Sequence, residues 1–293
     1  MVESVERKEK IQKVFAQIYI WFLLLLMYAP ILVLVAFSFT DADVLGKWNG
    51  FTFSLYGKLF RSEAIMVAVG NTLIVALVSS VIATILGTFG AIGVYEANRH
   101  WKRTIEFTNQ IPVVTPEIVL ALALTVLFVF CREHFFPNFQ FSFWTLLAGH
   151  LVLSTPFVYL NVKPKLEQMD PALYEAALDL GCHPRQALWK ATLPEIAPGV
   201  FSGFLIAITL SLDDFIVTAF TAGPGLLSGE SKISTISTYV QGVIKKHPLP
   251  PELRALCALI FLVVVLVVVA LIFVNRRRQA GVAGRHEKAR MKL

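Results

Sequence analysis

The chain has 293 residues, 56% of them hydrophobic and only 16% charged, where a soluble domain carries about 25% charged residues. Its net charge of +6 comes with no soluble basic face or base-reading element, which sets nucleic-acid binding aside. The composition is that of an all-α integral membrane protein, in which each span needs about 20 apolar residues to cross a core about 30 Å thick.

Residues 1–17 mix Glu3, Glu6 and Glu9 with Arg7, Lys8, Lys10 and Lys13 and read as a solvated N-terminal tail. Residues 18–39 form the first apolar run, too long for a signal-peptide core and without a small-residue cleavage site, so a retained anchor is expected. A core follows over 64–275. Its runs are about Ala64–Tyr95, Ile111–Cys131 with Pro112 and Pro116 in the first turns, Phe143–Leu160, Ala197–Phe220 and Leu256–Val274. Six transmembrane helices are therefore expected. Residues 276–293 form a basic tail. With the N-terminus inside, eighteen of the 26 Lys and Arg residues fall on the inner side, which obeys the positive-inside rule and makes both termini cytoplasmic. Cys131, Cys182 and Cys257 lie far apart and read as structural thiols. The six histidines show no metal-ligand spacing, and His150 reads as a hydrogen-bonded packing residue.

The loop between the fourth and fifth runs, residues 161–196, has the clearest local signals. Asp170 can cap a helix, Pro171 suits its first position, and Gly181 suits the left-handed residue just past its end. Leu173, Ala176, Ala177 and Leu180 share one face at helical spacing. Glu175 and Asp179, four apart and like-charged, weaken an isolated helix by a few tenths of a kcal/mol, which a basic partner would offset. Pro184 can open a second short helix ending near Leu193. The order Glu175-Ala176-Ala177, then Gly181, then Leu193-Pro194 resembles the EAA motif of permease subunits of binding-protein-dependent ABC importers. One position departs, since Ala191 stands where that family usually has Ile. The resemblance implies a coupling helix that docks on an ATPase subunit. No Gly-x4-Gly-Lys-Ser/Thr phosphate loop occurs in the sequence, so hydrolysis is expected on another chain.

Three acids lie inside apolar runs: Glu117, Asp213 and Asp214. A mid-bilayer carboxylate costs about 2.5–3.5 kcal/mol on insertion scales, so such residues face a cavity or a partner. Asp213 and Asp214 point about 100° apart on a continuous helix, so one of them is expected on a pathway. Acids there would attract a cation, with aromatic residues such as Tyr159 adding cation–π contacts of about 0.5–2 kcal/mol. Ser211-Leu-Asp213-Asp214-Phe-Ile-Val, Thr115-Pro116-Glu117-Ile118-Val119 and Pro251-Glu252-Leu253 resemble the spermidine/putrescine importer permeases of the C type. Residues 226–235 look like a short insertion relative to them, and Arg254 replaces the usual Asn.

The resemblance implies a MetI-like type I ABC importer permease without cofactor or metal, in the bacterial inner membrane. Helices 2 to 6 would form its core, with helix 1 outside. Its partners would be an ATPase dimer, a related second permease in a heterodimer, an extracytoplasmic substrate-binding protein, and lipid. A permease for another small cation or chelate, and a secondary transporter using the acids as ion sites, are the alternative readings.

Overall fold

A computed structural model describes residues 2–42, 46–137, 139–223, 233–244, 250–266 and 269, with the side chains of 2–11 outside that description. The described residues are helices and connecting turns, without a strand. They divide into two compact units, residues 64–246 and the remainder of the chain.

In the terminal unit, α1 covers Val2–Phe37. The charged N-terminal segment forms the first turns of the same helix. Its apolar part, Gln12–Phe37, buries nothing within the chain, as expected of a helix that is hydrophobic all round and has lipid as its solvent. After it come a short aromatic cluster, with Phe39 stacked on Phe51 at 5.2 Å, and α2, Ser54–Arg61, which buries Leu55 and Leu59. Lys58 donates to Asp41 at 3.0 Å, and that bond holds the Asp41 carboxyl below the ordinary aspartate range. Arg254 is 2% exposed; its Nη1 donates to the Ala42 carbonyl at 2.8 Å. It belongs to a helix over 252–266, the beginning of the sixth apolar run. Most of the rest of that run, the 276–293 tail and most of the 226–235 segment lie outside the described residues.

The central unit takes in nearly all of α3 (Glu63–Glu96), with α4 (Arg99–Val114), α5 (Glu117–His134), α6 (Phe143–Gln168), α7 (Pro171–Asp179), α8 (Pro184–Ala187), α9 (Leu193–Asp213), α10 (Ile216–Thr221) and α11 (Ile236–Ile244). Small residues decide its packing. In α9, Gly199, Gly203, Ala207 and Ser211 recur every fourth residue, and all are buried. In α3, Ala83, Gly87 and Ala91 do the same. Both stripes press on α6: a Cβ added at Gly87 would lie 2.7 Å from the Val158 Cβ, and one at Gly203 would lie 3.1 Å from the Val158 Cα. Lipid tails offer no hydrophobic drive to pair helices, so such close approach, with its gain in dispersion contacts, takes over. The resulting core joins Ala83 and Ile92 of α3, Val158 and Val162 of α6, and Ile196 and Ala207 of α9.

Two expected spans are interrupted. The third run is not one helix from Ile111: α4 begins at Arg99, and α4 and α5 meet at an angle of 109°. Pro116 drives Thr115 into extended backbone with ψ 134°, the usual restriction on a residue preceding proline. The fifth run is not continuous either, because the chain turns extended at Asp214 with ψ 127°. Before α9 the chain widens into a π turn over Leu188–Thr192, where the Leu193 N–H reaches the Leu188 carbonyl. Pro194 has no N–H for the carbonyl four residues back, and a wide turn accommodates that loss. The second loop helix therefore runs on into α9 instead of ending near Leu193. Among the described residues, four helices are long and apolar enough to span a membrane, or five if α4 and α5 count as one bent span.

Candidate functional site

Two places concentrate the residues singled out by sequence. The first is α7. The Asp170 carboxylate accepts from the Ala172 N–H at 3.0 Å, and Pro171 occupies the first turn. At the other end the Gly181 N–H bonds to the Leu178 carbonyl at 2.8 Å and the Cys182 N–H to the Ala177 carbonyl at 3.1 Å. These are the paired bonds of a Schellman motif. Gly181 has φ +85°, a value in the region that glycine adopts without a side-chain penalty.

The orientation of α7 follows from its contacts. Tyr174, Glu175 and Leu178 line a cavity of about 490 Å³ shared with Tyr95 of α3 and Leu166 and Met169 near the end of α6. On the opposite side Leu173 is 43% and Leu180 87% exposed, with Ala176 exposed between them and Ala177 half-buried. A short helix thus stands on the bundle's end with an apolar, shallow face turned outward. Leu193 and Pro194 lie at the start of α9, joined to α7 through α8 and the π turn, so displacement of α7 has a short covalent route into the bundle.

The second place is the break between α9 and α10. Asp213, the last residue of α9, is exposed, whereas Asp214 is buried. Asp214 accepts from the Val217 N–H at 3.1 Å and the Thr218 N–H at 2.8 Å, so its carboxylate serves the N-terminal turn of α10, where negative charge is favoured. Asp213 has the opposite setting, a negative charge at a helix C-terminus, and its side chain stays outside. Glu117, the first residue of α5 and also exposed, is within Coulombic reach of both aspartates. The packing of α5 along α10, with the Thr125 hydroxyl donating to the Phe220 carbonyl at 3.1 Å, brings it there.

Tyr159 is elsewhere. It is 4% exposed and lies nine residues beyond His150 on α6, about 14 Å along the axis. Its neighbours around a small space include Tyr95, Glu106 and Lys163, and Lys163 pairs with Glu106 at 2.8 Å. Sequence reasoning missed the groups that surround Asp214: Ser79, Ser211 and Thr218, which together with His150 form a buried polar network. One signal was available. Ser211 continues the fourth-residue stripe of Gly199, Gly203 and Ala207, the pattern of a helix packed tightly against a neighbour. Among the described residues no group of three or more His, Cys, Asp and Glu side chains is arranged to hold a metal ion.

Residues 83–280 match the family described as "Binding-protein-dependent transport system inner membrane component". The putrescine transport system permease protein PotI of Escherichia coli K12 is 33% identical over 235 residues, 80% of this chain and 81% of that one. The spermidine/putrescine transport system permease protein PotC of the same strain is 30% identical over 258 residues, 88% of this chain and 92% of that one. A chain from the crystal structure of a bacterial ABC transporter that imports the acidic polysaccharide alginate has a TM-score of 0.68 at 19% identity. The match covers 92% of this chain and 95% of that chain. At that identity the likeness speaks for the fold alone.

Proposed function

The chain belongs to the inner membrane components of binding-protein-dependent transport systems, and from that premise we propose that it imports polyamines of the putrescine and spermidine class. It is a permease of an ABC importer, a transport subunit and not an enzyme. The finer reading is half of a translocation pathway, completed by a related second permease. It is driven by an ATPase dimer on the inner side and loaded by an extracytoplasmic binding protein. Six spans carry it: α1, α3, the bent pair α4–α5, α6, α9 with α10, and a sixth that begins in 252–266. Both termini are cytoplasmic, residues 64–275 form the permease core, and α7 within residues 161–196 is the ATPase-docking helix.

The observation that carries the substrate reading is that Glu117 and Asp213 are both exposed, at the α4–α5 and α9–α10 breaks, with α5 and α10 packed together. Charge left bare within a membrane-spanning bundle marks a water-filled path or a ligand, and a di- or polyamine offers the complementary positive groups. Glu117 and Asp213 are the pathway residues, Asp214 acts from behind them, and Tyr159 lines the bundle between the acids and α7. Glu175, Ala176, Ala177, Gly181, Leu193 and Pro194 transmit the movement of the ATPases. Another small cation or a chelate is the alternative cargo.

The test is uptake of radiolabelled putrescine into proteoliposomes holding the whole transporter with its binding protein and ATP inside. Asp213→Asn should lower the turnover of uptake about tenfold, equivalent to about 1.4 kcal/mol, at equal amounts of assembled complex. Unchanged uptake in Asp213→Asn and in the Asp213→Asn, Glu117→Gln double variant would remove the pathway reading.

A further inference from the structure

Behind the exposed Asp213 runs a buried chain of side-chain hydrogen bonds that draws on four helices and no solvent. The Ser79 hydroxyl of α3 donates to Ser211 Oγ of α9 at 3.0 Å. Ser211 Oγ lies 2.8 Å from His150 Nδ1 of α6, and His150 Nε2 lies 3.0 Å from Thr218 Oγ1 of α10. The Thr218 hydroxyl donates to Asp214 Oδ2 at 2.8 Å. His150, Thr218 and Ser79 are fully buried, and Ser211 and Asp214 nearly so.

Proton counting gives the chain a direction. Thr218 has one hydroxyl proton, and the carboxylate is the strongest acceptor within its reach. Its oxygen is then left to accept from His150, so the ring carries its proton on Nε2. With the ring neutral, Nδ1 accepts from Ser211, whose oxygen accepts from Ser79 at 3.0 Å, a shorter contact than the 3.3 Å from the same hydroxyl to the Ala76 carbonyl. Each link uses one donor and one acceptor, with a neutral imidazole in the middle. A Ser–His–Asp set suggests hydrolysis by composition, but the His150 ring is wholly enclosed and no substrate atom can reach it.

We propose that His150 and Thr218 are positioning residues for transport: the one-way chain from Ser79 to Asp214 fixes the α9–α10 break and thereby aims the Asp213 carboxylate. The break is where α9 ends and backbone pairing gives way to side chains. Asp214 satisfies two N–H groups of α10, while the hydroxyl of Thr218 and the ring of His150 hold that carboxylate in register with α6, α9 and α3. Loss of one link leaves the remaining buried groups unpaired and frees the angle between α9 and α10. The inference rests on Asp213 facing the pathway.

The experiment is a double-mutant cycle in the assembled transporter, read as initial putrescine uptake at saturating binding protein and normalised to complex recovered. Thr218→Val keeps the side-chain shape and removes the hydroxyl; Thr218→Ser keeps the hydroxyl. Thr218→Val should lower uptake about tenfold, and Thr218→Ser should restore it to within about twofold of wild type. In an Asp213→Asn background Thr218→Val should add almost nothing, since coupled residues are not additive. Ser211→Ala, at the other side of His150, should repeat the pattern if Thr218→Val yields too little complex. An Asp213→Asn defect without a Thr218→Val defect overturns the positioning role and leaves the pathway reading standing. Two defects that multiply independently overturn it as well, and wild-type uptake in Asp213→Asn overturns the pathway reading first.

Discussion

Helix α7 and the α9–α10 break are both short interruptions stabilised by an aspartate at a helix start, yet they are held in opposite ways. Asp170 is exposed and bonds one N–H, that of Ala172. Everything that ends α7 lies within the next few residues, around the left-handed Gly181. Asp214 is buried, bonds two N–H groups, and is approached by the Thr218 hydroxyl and, through it, by His150 of another helix. The first device is local and leaves an apolar face free for a partner. The second is distributed over the bundle and leaves one acid, Asp213, exposed beside it. The ends of α7 are defined by its own sequence, whereas the α9–α10 kink is defined by its neighbours.

The strongest way to break this comparison is at Gly181. Gly181→Pro forces φ near −65° and deletes the N–H that bonds Leu178, so α7 loses its end. Uptake should fall about a hundredfold or more, toward background, while the amount of chain in the membrane stays at the wild-type level. A variant that still imports normally would end the docking role proposed for α7. Next in size is Asp214→Ala, which leaves two buried N–H groups without an acceptor. It should cost about 3 kcal/mol, read as a lower denaturation midpoint of the purified complex. The smallest effect belongs to Asp170→Ala, the same substitution at the exposed cap. There water replaces the carboxylate, and the cost should be about 1 kcal/mol or less. Equal losses at the two aspartates would erase the distinction between a local and a distributed cap.

The legibility of the two regions in sequence differs for the same reason. Asp170, Pro171 and Gly181 each act on backbone within two or three residues, so α7 and its glycine stop were readable from spacing alone. The three acids were readable as misplaced charges. Which aspartate is buried was not, because the answer depends on Thr218 and His150, which a helical wheel of the fifth run does not bring together. Pro116 is visible in the sequence and restricts Thr115 locally, but the 109° between α4 and α5 is set by the packing of both helices. The π turn before Pro194 was likewise unseen, since hydropathy carries no information on hydrogen-bond register.

By itself the sequence determined that the chain lives in a membrane, that its long elements are helices, and that a capped helix with a small-residue face lies between the fourth and fifth apolar runs. These follow from solvent transfer and from capping chemistry, which act residue by residue. Only the tertiary structure decided where the helices bend and which of two adjacent aspartates turns inward. A buried polar group takes the position in which partners from other helices satisfy it, and those partners become neighbours only once the bundle has packed.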